Sequence, residues 1–135
     1  MAWSSTGVTV AGTGSWGSQI TQLLNPWHIV IDSSDAIYIA DSGNHRISKW
    51  VSGSATGTIV AGQINQPAGS GVAYLSGPYG VCIDSNRNVY VADRSNHRVQ
   101  LWNNSASSGV TVAGTGKETI SMCLFCHCIA FRYEW

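Results

Sequence analysis

Short apolar runs separated by polar, turn-forming residues set the rhythm of this chain. Two adjoining runs, IVI at 29–31 and AIYIA at 36–40, are apolar at consecutive positions, whereas a strand exposed on one face would alternate apolar with polar residues. Strands of this kind are expected to be covered on both sides. The pattern predicts four short strands over 27–32, 36–41, 46–51 and 58–61, and four more over 79–84, 88–93, 98–103 and 110–113. Between them DSSDA, DSGNH and DSNRN offer Asx-turn acceptors and residues that tolerate positive φ, as tight hairpins require.

The second group of four strands copies the first. Asp32, Tyr38, Ala40, Asp41, Asn44, His45, Arg46, Trp50, Gly57, Ala61 and Gly62 recur as Asp84, Tyr90, Ala92, Asp93, Asn96, His97, Arg98, Trp102, Gly109, Ala113 and Gly114. A third, partial copy opens the chain, because GVTVAGTG at 7–14 is identical to 109–116. A repeat of this size means stacked supersecondary units, none of which buries its apolar faces alone. Four-stranded units covered on both faces fit propeller blades, each packed between two neighbours, better than a sandwich covered mainly on one side. The expected organisation is a partial repeat with a connector over 1–25, blades over 26–62 and 78–116, a connector loop over 63–77 and a non-repeat tail over 117–135.

PWHIVIDSSDAIYIADSGNHRISKW at 26–50 and PYGVCIDSNRNVYVADRSNHRVQLW at 78–102 resemble the NHL repeat, whose signature stands here as Asn44-His45 and Asn96-His97. The resemblance implies an all-β fold made of four-stranded antiparallel blades from a six-bladed, TolB-like β-propeller. Two blades fall short of the about four to eight that close a ring. An incomplete propeller fragment is therefore expected, completed by further NHL blades of a longer chain or by homo-oligomerisation.

Charge narrows the partners. Across 135 residues, 7 Lys and Arg balance 7 Asp and Glu, so no net field recruits nucleic acid or an anionic membrane. The repeats themselves set Arg46, Lys49, Arg87, Arg94 and Arg98 against Asp32, Asp35, Asp41, Asp84 and Asp93. No charged leader precedes an apolar stretch, and no apolar run reaches the about 20 residues of a membrane helix. Neither nucleic-acid nor membrane binding is expected.

The polar cluster from Asp41 to Arg46 could be a site, but its recurrence in each blade favours a structural role. Arg46 can fold back on Asp41 or Asp32 as a charge-assisted pair, and Arg98 on Asp93 or Asp84. Trp50 and Trp102 are expected between blades, with Nε1 donors that need partners. His45 and His97 occupy the same turn of separate blades and cannot meet on one ion without a closed ring. His28 begins an innermost strand and has no repeat, Gly80 standing in its place. A single histidine is not a metal site. Cys82 takes the place of Val30 and reads as a buried small residue. In the tail, Cys123, Cys126, His127 and Cys128 include CLFCH, a literal match to the haem-attachment pattern, without a second pair at zinc-finger spacing. The tail is expected to carry no function. No catalytic residue, cofactor or metal is expected.

Antiparallel pairing puts the turn between second and third strands on the same rim as the connection into the next blade. That rim carries the two long irregular stretches, 13–25 and 63–77. Loops on a rigid scaffold are where recognition concentrates. Trp16, Trp27, His28, Tyr74, Tyr79 and Arg94 are the candidate binding residues, with the alternative that the aromatics plug the cleft between blades. The expected function is a non-catalytic scaffold for a protein or peptide ligand. RNA binding through the propeller face is the first alternative, and a lyase or hydrolase with a metal at the propeller axis the second.

Overall fold

The structure, a computed structural model, describes residues 4–114. Cys123, Cys126, His127 and Cys128 lie outside the described residues. Blade 1 comprises β1 (Pro26–Ile31), β2 (Ile37–Asp41), β3 (Arg46–Trp50) and β4 (Thr58–Gly62). Blade 2 comprises β5 (Pro78–Ile83), β6 (Val89–Asp93), β7 (Arg98–Trp102) and β8 (Val110–Ala113). Each blade is a four-stranded antiparallel sheet in sequential order. Among the described residues the fold is thus all-β, two propeller blades that do not close a ring.

Register follows the repeat. Asp41 pairs with Pro26 and Arg46, and Arg46 with Gly62, so one rim of blade 1 gathers Pro26, Asp41, Arg46 and Gly62. Pro78, Asp93 and Arg98 take the same places in blade 2. A short 3-10 turn, Ser42–Asn44 or Arg94–Asn96, joins the middle strands on that rim and ends at a histidine in the left-handed region, His45 at φ 54° and His97 at φ 50°. Histidine is among the residues that enter this region most readily after glycine. Gly62 lies close beneath, where a Cβ would stand 2.6 Å from the His45 carbonyl oxygen at a φ of 83°, so only glycine fits.

The side chains alternate between two faces of each sheet. The back face of blade 1, with Tyr38, Ala40, Ile47 and Ala61, packs on the front face of blade 2, with Val81, Val89, Val91 and Trp102, in one buried cluster. Cover on both sides holds for the middle of blade 1, where Tyr38, Ile39 and Ala40 are all buried. It fails at the inner strand, where Ile29 and Ile31 remain 55% exposed because no blade among the described residues lies in front of them. Cys82 is half-buried rather than buried for the converse reason: it lies on the back face of blade 2, which no further blade among the described residues covers.

Candidate functional site

The repeated polar cluster is built inward. Asp41 is fully buried, and its Oδ2 accepts from Arg46 Nε and Asn44 Nδ2, each at 2.8 Å, while its Oδ1 accepts from the Leu24 N–H at 2.7 Å. The Arg46 guanidinium spends its remaining donors on the carbonyls of Ser18, Gln19 and Gln22. Blade 2 repeats every bond: Asp93 receives Arg98, Asn96 and the Ser76 N–H, and Arg98 donates to the carbonyls of Ser70, Gly71 and Tyr74. Gln100, with its amide oxygen turned to the guanidinium, adds acceptors for Arg98 Nη1 and Nη2 at 3.1 and 3.2 Å. A buried carboxylate needs such a shell, because an unsolvated charge without partners is costly.

Asp32 and Asp84 do different work. Asp32 Oδ1 accepts from the N–H groups of Ser34 and Ala36, and Asp84 Oδ1 from those of Asn86 and Asn88, closing Asx turns on the opposite rim. Desolvation pushes the Asp32 carboxyl up, but the hydrogen bonds from Ala36, Ser34 and Tyr38 outweigh it and hold it below its ordinary value. Asp84 is held low in the same way, desolvation opposing and the Asn88 side chain and the Asn88 and Asn86 backbone prevailing. The two candidate partners of each arginine are thereby separated: Asp41 and Asp93 take the guanidinium.

Much of each long loop is scaffold. Residues 17–24 and 69–76 share one conformation, in which Gly17 N–H bonds Leu23 O as Gly69 N–H bonds Leu75 O, and Gly57 N–H bonds Ile20 O as Gly109 N–H bonds Val72 O. These loops cross the outer strands and reach Gly57 and Gly109. Ile39 and Trp50 are buried although no blade among the described residues lies in front of them. The sequence signal was present as Gly-Ser followed by Leu five residues later, at 17–23 and 69–75. It is short enough to pass for ordinary loop composition. Tyr74 accordingly sits in a repeated place, its carbonyl accepting from Arg98 as Gln22 O accepts from Arg46.

Two histidines tie the blades together. Gly77 N–H donates to His45 Nδ1 at 3.1 Å and Val81 N–H to His28 Nδ1 at 3.4 Å, so both rings act as acceptors for the neighbouring blade. Ser42 Oγ adds a bond to the Pro78 carbonyl. Trp50 Nε1 finds Ser48 Oγ at 3.1 Å, whereas Trp102 Nε1 has no partner among the described residues.

Three of the six candidate residues converge. Trp27 stacks on Tyr79, with centroids 4.5 Å apart and rings 24° from parallel, and the Arg94 guanidinium lies 4.5 Å from the Tyr79 centroid. Trp27 and Tyr79 hold the same position of successive inner strands, next to Pro26 and Pro78 on the rim, and Trp27 is 61% exposed. His28 neighbours this stack but bonds between blades. Trp16, 81% exposed, bridges to Leu23 through backbone and takes no part in the stack, nor does Tyr74.

Comparison with known proteins gives two findings. The family described as "NHL repeat" matches residues 23–50 and 75–101. NHL repeat-containing protein 2 of Homo sapiens is 35% identical over 99 residues, which cover 70% of this chain and 13% of that protein. The chain therefore spans a small part of the length of that relative.

Proposed function

On the premise that the chain carries two NHL repeats, we propose that it is a non-catalytic β-propeller module, an arc of a six-bladed TolB-like ring, that binds protein or peptide ligands on the rim where the inner strands begin. The observation that carries this reading is the stack of Trp27, Tyr79 and Arg94, an exposed aromatic and cationic surface mounted on two inner strands and one tight turn. Trp, Tyr and Arg are the residue types that dominate binding energy at protein interfaces, and rigid strands hold them in place without loop ordering. The other concentration of polar groups, the buried Asp–Arg clusters, has its hydrogen bonds committed inside each blade, which supports a scaffold role for them.

RNA binding has weaker support. It needs a track of available cations, and Arg46 and Arg98 are buried in their pairs. That leaves Lys49, Arg87 and Arg94 in the repeats, offset by Asp32, Asp35 and Asp84. A metal at the axis would require His28 to give up its bond from Val81.

The test is selection of peptides from a random displayed library on the 135-residue chain, followed by affinity measurement with variants. Trp27→Ala and Arg94→Ala should each weaken the selected peptide about tenfold or more, a hot-spot loss of about 1.4 kcal/mol, at an unchanged denaturation midpoint. Undiminished affinity in both would overturn the reading.

A further inference from the structure

Among the described residues, the contact between the two blades is a template with two unused halves. Val81 on the front face of blade 2 is 1% exposed against blade 1, whereas its counterpart Ile29 on the front face of blade 1 is 55% exposed. On the back faces, Tyr38, Ala40, Ile47 and Ala61 are buried, while their counterparts Tyr90, Ala92 and Val99 are half-buried and Ala113 is exposed. The chain thus presents one copy of each partner surface of an interface it already forms. Such a head-to-tail contact can continue from copy to copy.

The polar part of the junction is also duplicated. His97 ends its turn in the same left-handed conformation as His45, and nothing among the described residues donates to its ring. Asn25, the counterpart of Gly77, has the same backbone form, φ 48° against 56°, and its N–H has no acceptor among the described residues. An asparagine at positive φ without a local hydrogen bond is explained if its N–H is meant for an incoming histidine, as the Gly77 N–H meets His45.

The sequence says what stands in front of blade 1. Residues 57–62 contain the outer strand of blade 1, Thr58–Gly62, and lead through a connector to Pro78; residues 7–12 stand in the same relation to Pro26. They therefore spell the outer strand of a blade lying on the front face of blade 1. That spelling is GVTVAGTG, identical to blade 2 at 109–116 and different from GTIVAGQI in blade 1 at 57–64. The blade that fits there is one like blade 2, whose own 110–113 fills the outer-strand place and leaves 7–12 of the receiving chain outside the sheet, as they are in the single chain.

We propose that copies of this chain dock head to tail, the back face of blade 2 in one copy on the front face of blade 1 in the next, with His97 Nδ1 accepting from the Asn25 N–H across the contact. Ile29 and Ile31 then become buried, as Val81 is. This closure rests on the six-bladed reading proposed above: three copies, each with the two described blades, close such a ring.

The experiment is native mass spectrometry and sedimentation of the 135-residue chain over a range of micromolar concentrations. A discrete trimer is expected. Ile29→Arg spoils the front face and Ala113→Arg the back face; both residues are exposed in the single chain, so each variant should keep its near-ultraviolet spectrum and run as a monomer. Mixed in equal amounts, the two should form a dimer and nothing larger, each supplying its intact face. A wild-type chain that stays monomeric, aggregates indifferent to both substitutions, or a mixture that stays monomeric would each overturn the proposal. A persistent monomer would assign both faces to blades of a longer chain.

Discussion

Arg98 Nε donates to Asp93 Oδ2 at 2.8 Å, with Asp93 fully buried and the arginine side chain 9% exposed. The same bond of the same length joins Arg46 to Asp41. The pair locks the tight turn, through Asn96, to the loop that enters the blade, through Ser76 and the carbonyls of Ser70, Gly71 and Tyr74. Arg98→Met removes four hydrogen bonds, one of them to the carboxylate, and leaves Asp93 buried with two donors. The expected cost is about 3 to 5 kcal/mol, read as a lowered denaturation midpoint. An unchanged midpoint with altered ligand affinity would make the cluster a binding site instead.

His45 bonds between blades, whereas His97 has no such partner among the described residues. His45→Leu should therefore destabilise the monomer by about 1 kcal/mol or somewhat more, the value of a hydrogen bond with a half-buried donor left over. His97→Leu should cost less than that under conditions where the chain is monomeric. Equal losses in parallel urea denaturations would contradict the assignment of His45 to the blade junction.

Much of this was legible in the sequence. Consecutive apolar positions at 29–31 and 36–40 gave the strands, and the recurrence of Asp, Asn-His-Arg and Trp gave the blade and its internal pair. What stayed hidden depends on contacts between units. Asp41 and Asp32 are equally plausible partners for Arg46 until register puts Asp41 opposite it and turns Asp32 into the next hairpin. The long loops read as free recognition loops because their anchors are main-chain carbonyls, which leave almost no trace in residue type. Trp16 and Trp27 look alike in sequence, and only the stacking of consecutive inner strands singles out Trp27.

Acid stability should depend on the Asx-turn carboxylates. Asp32 and Asp84 are held below the ordinary value of 3.8 in the folded chain, so their contribution is present above that value and is lost as pH falls through the lower folded values. The double variant Asp32→Asn, Asp84→Asn lacks this titration. Its stability should fall less than that of the wild type between about pH 5 and about pH 2. Parallel acid limbs in chemical denaturation would show that these two groups do not titrate with folding.

Mixed single-stranded RNA should bind weakly at physiological salt, because few free cations release counterions on association. Titrations at several salt concentrations check this. Submicromolar affinity with a steep salt slope would favour the RNA reading.

The rim reading is tested most directly by hydrogen–deuterium exchange of the chain with and without a selected peptide. Protection is expected at the beginnings of the inner strands and the adjacent turns, 26–28, 42–45, 78–80 and 94–97, which surround Trp27, Tyr79 and Arg94. Protection confined to the opposite rim, at 32–36, 51–57, 84–88 and 103–109, would contradict it.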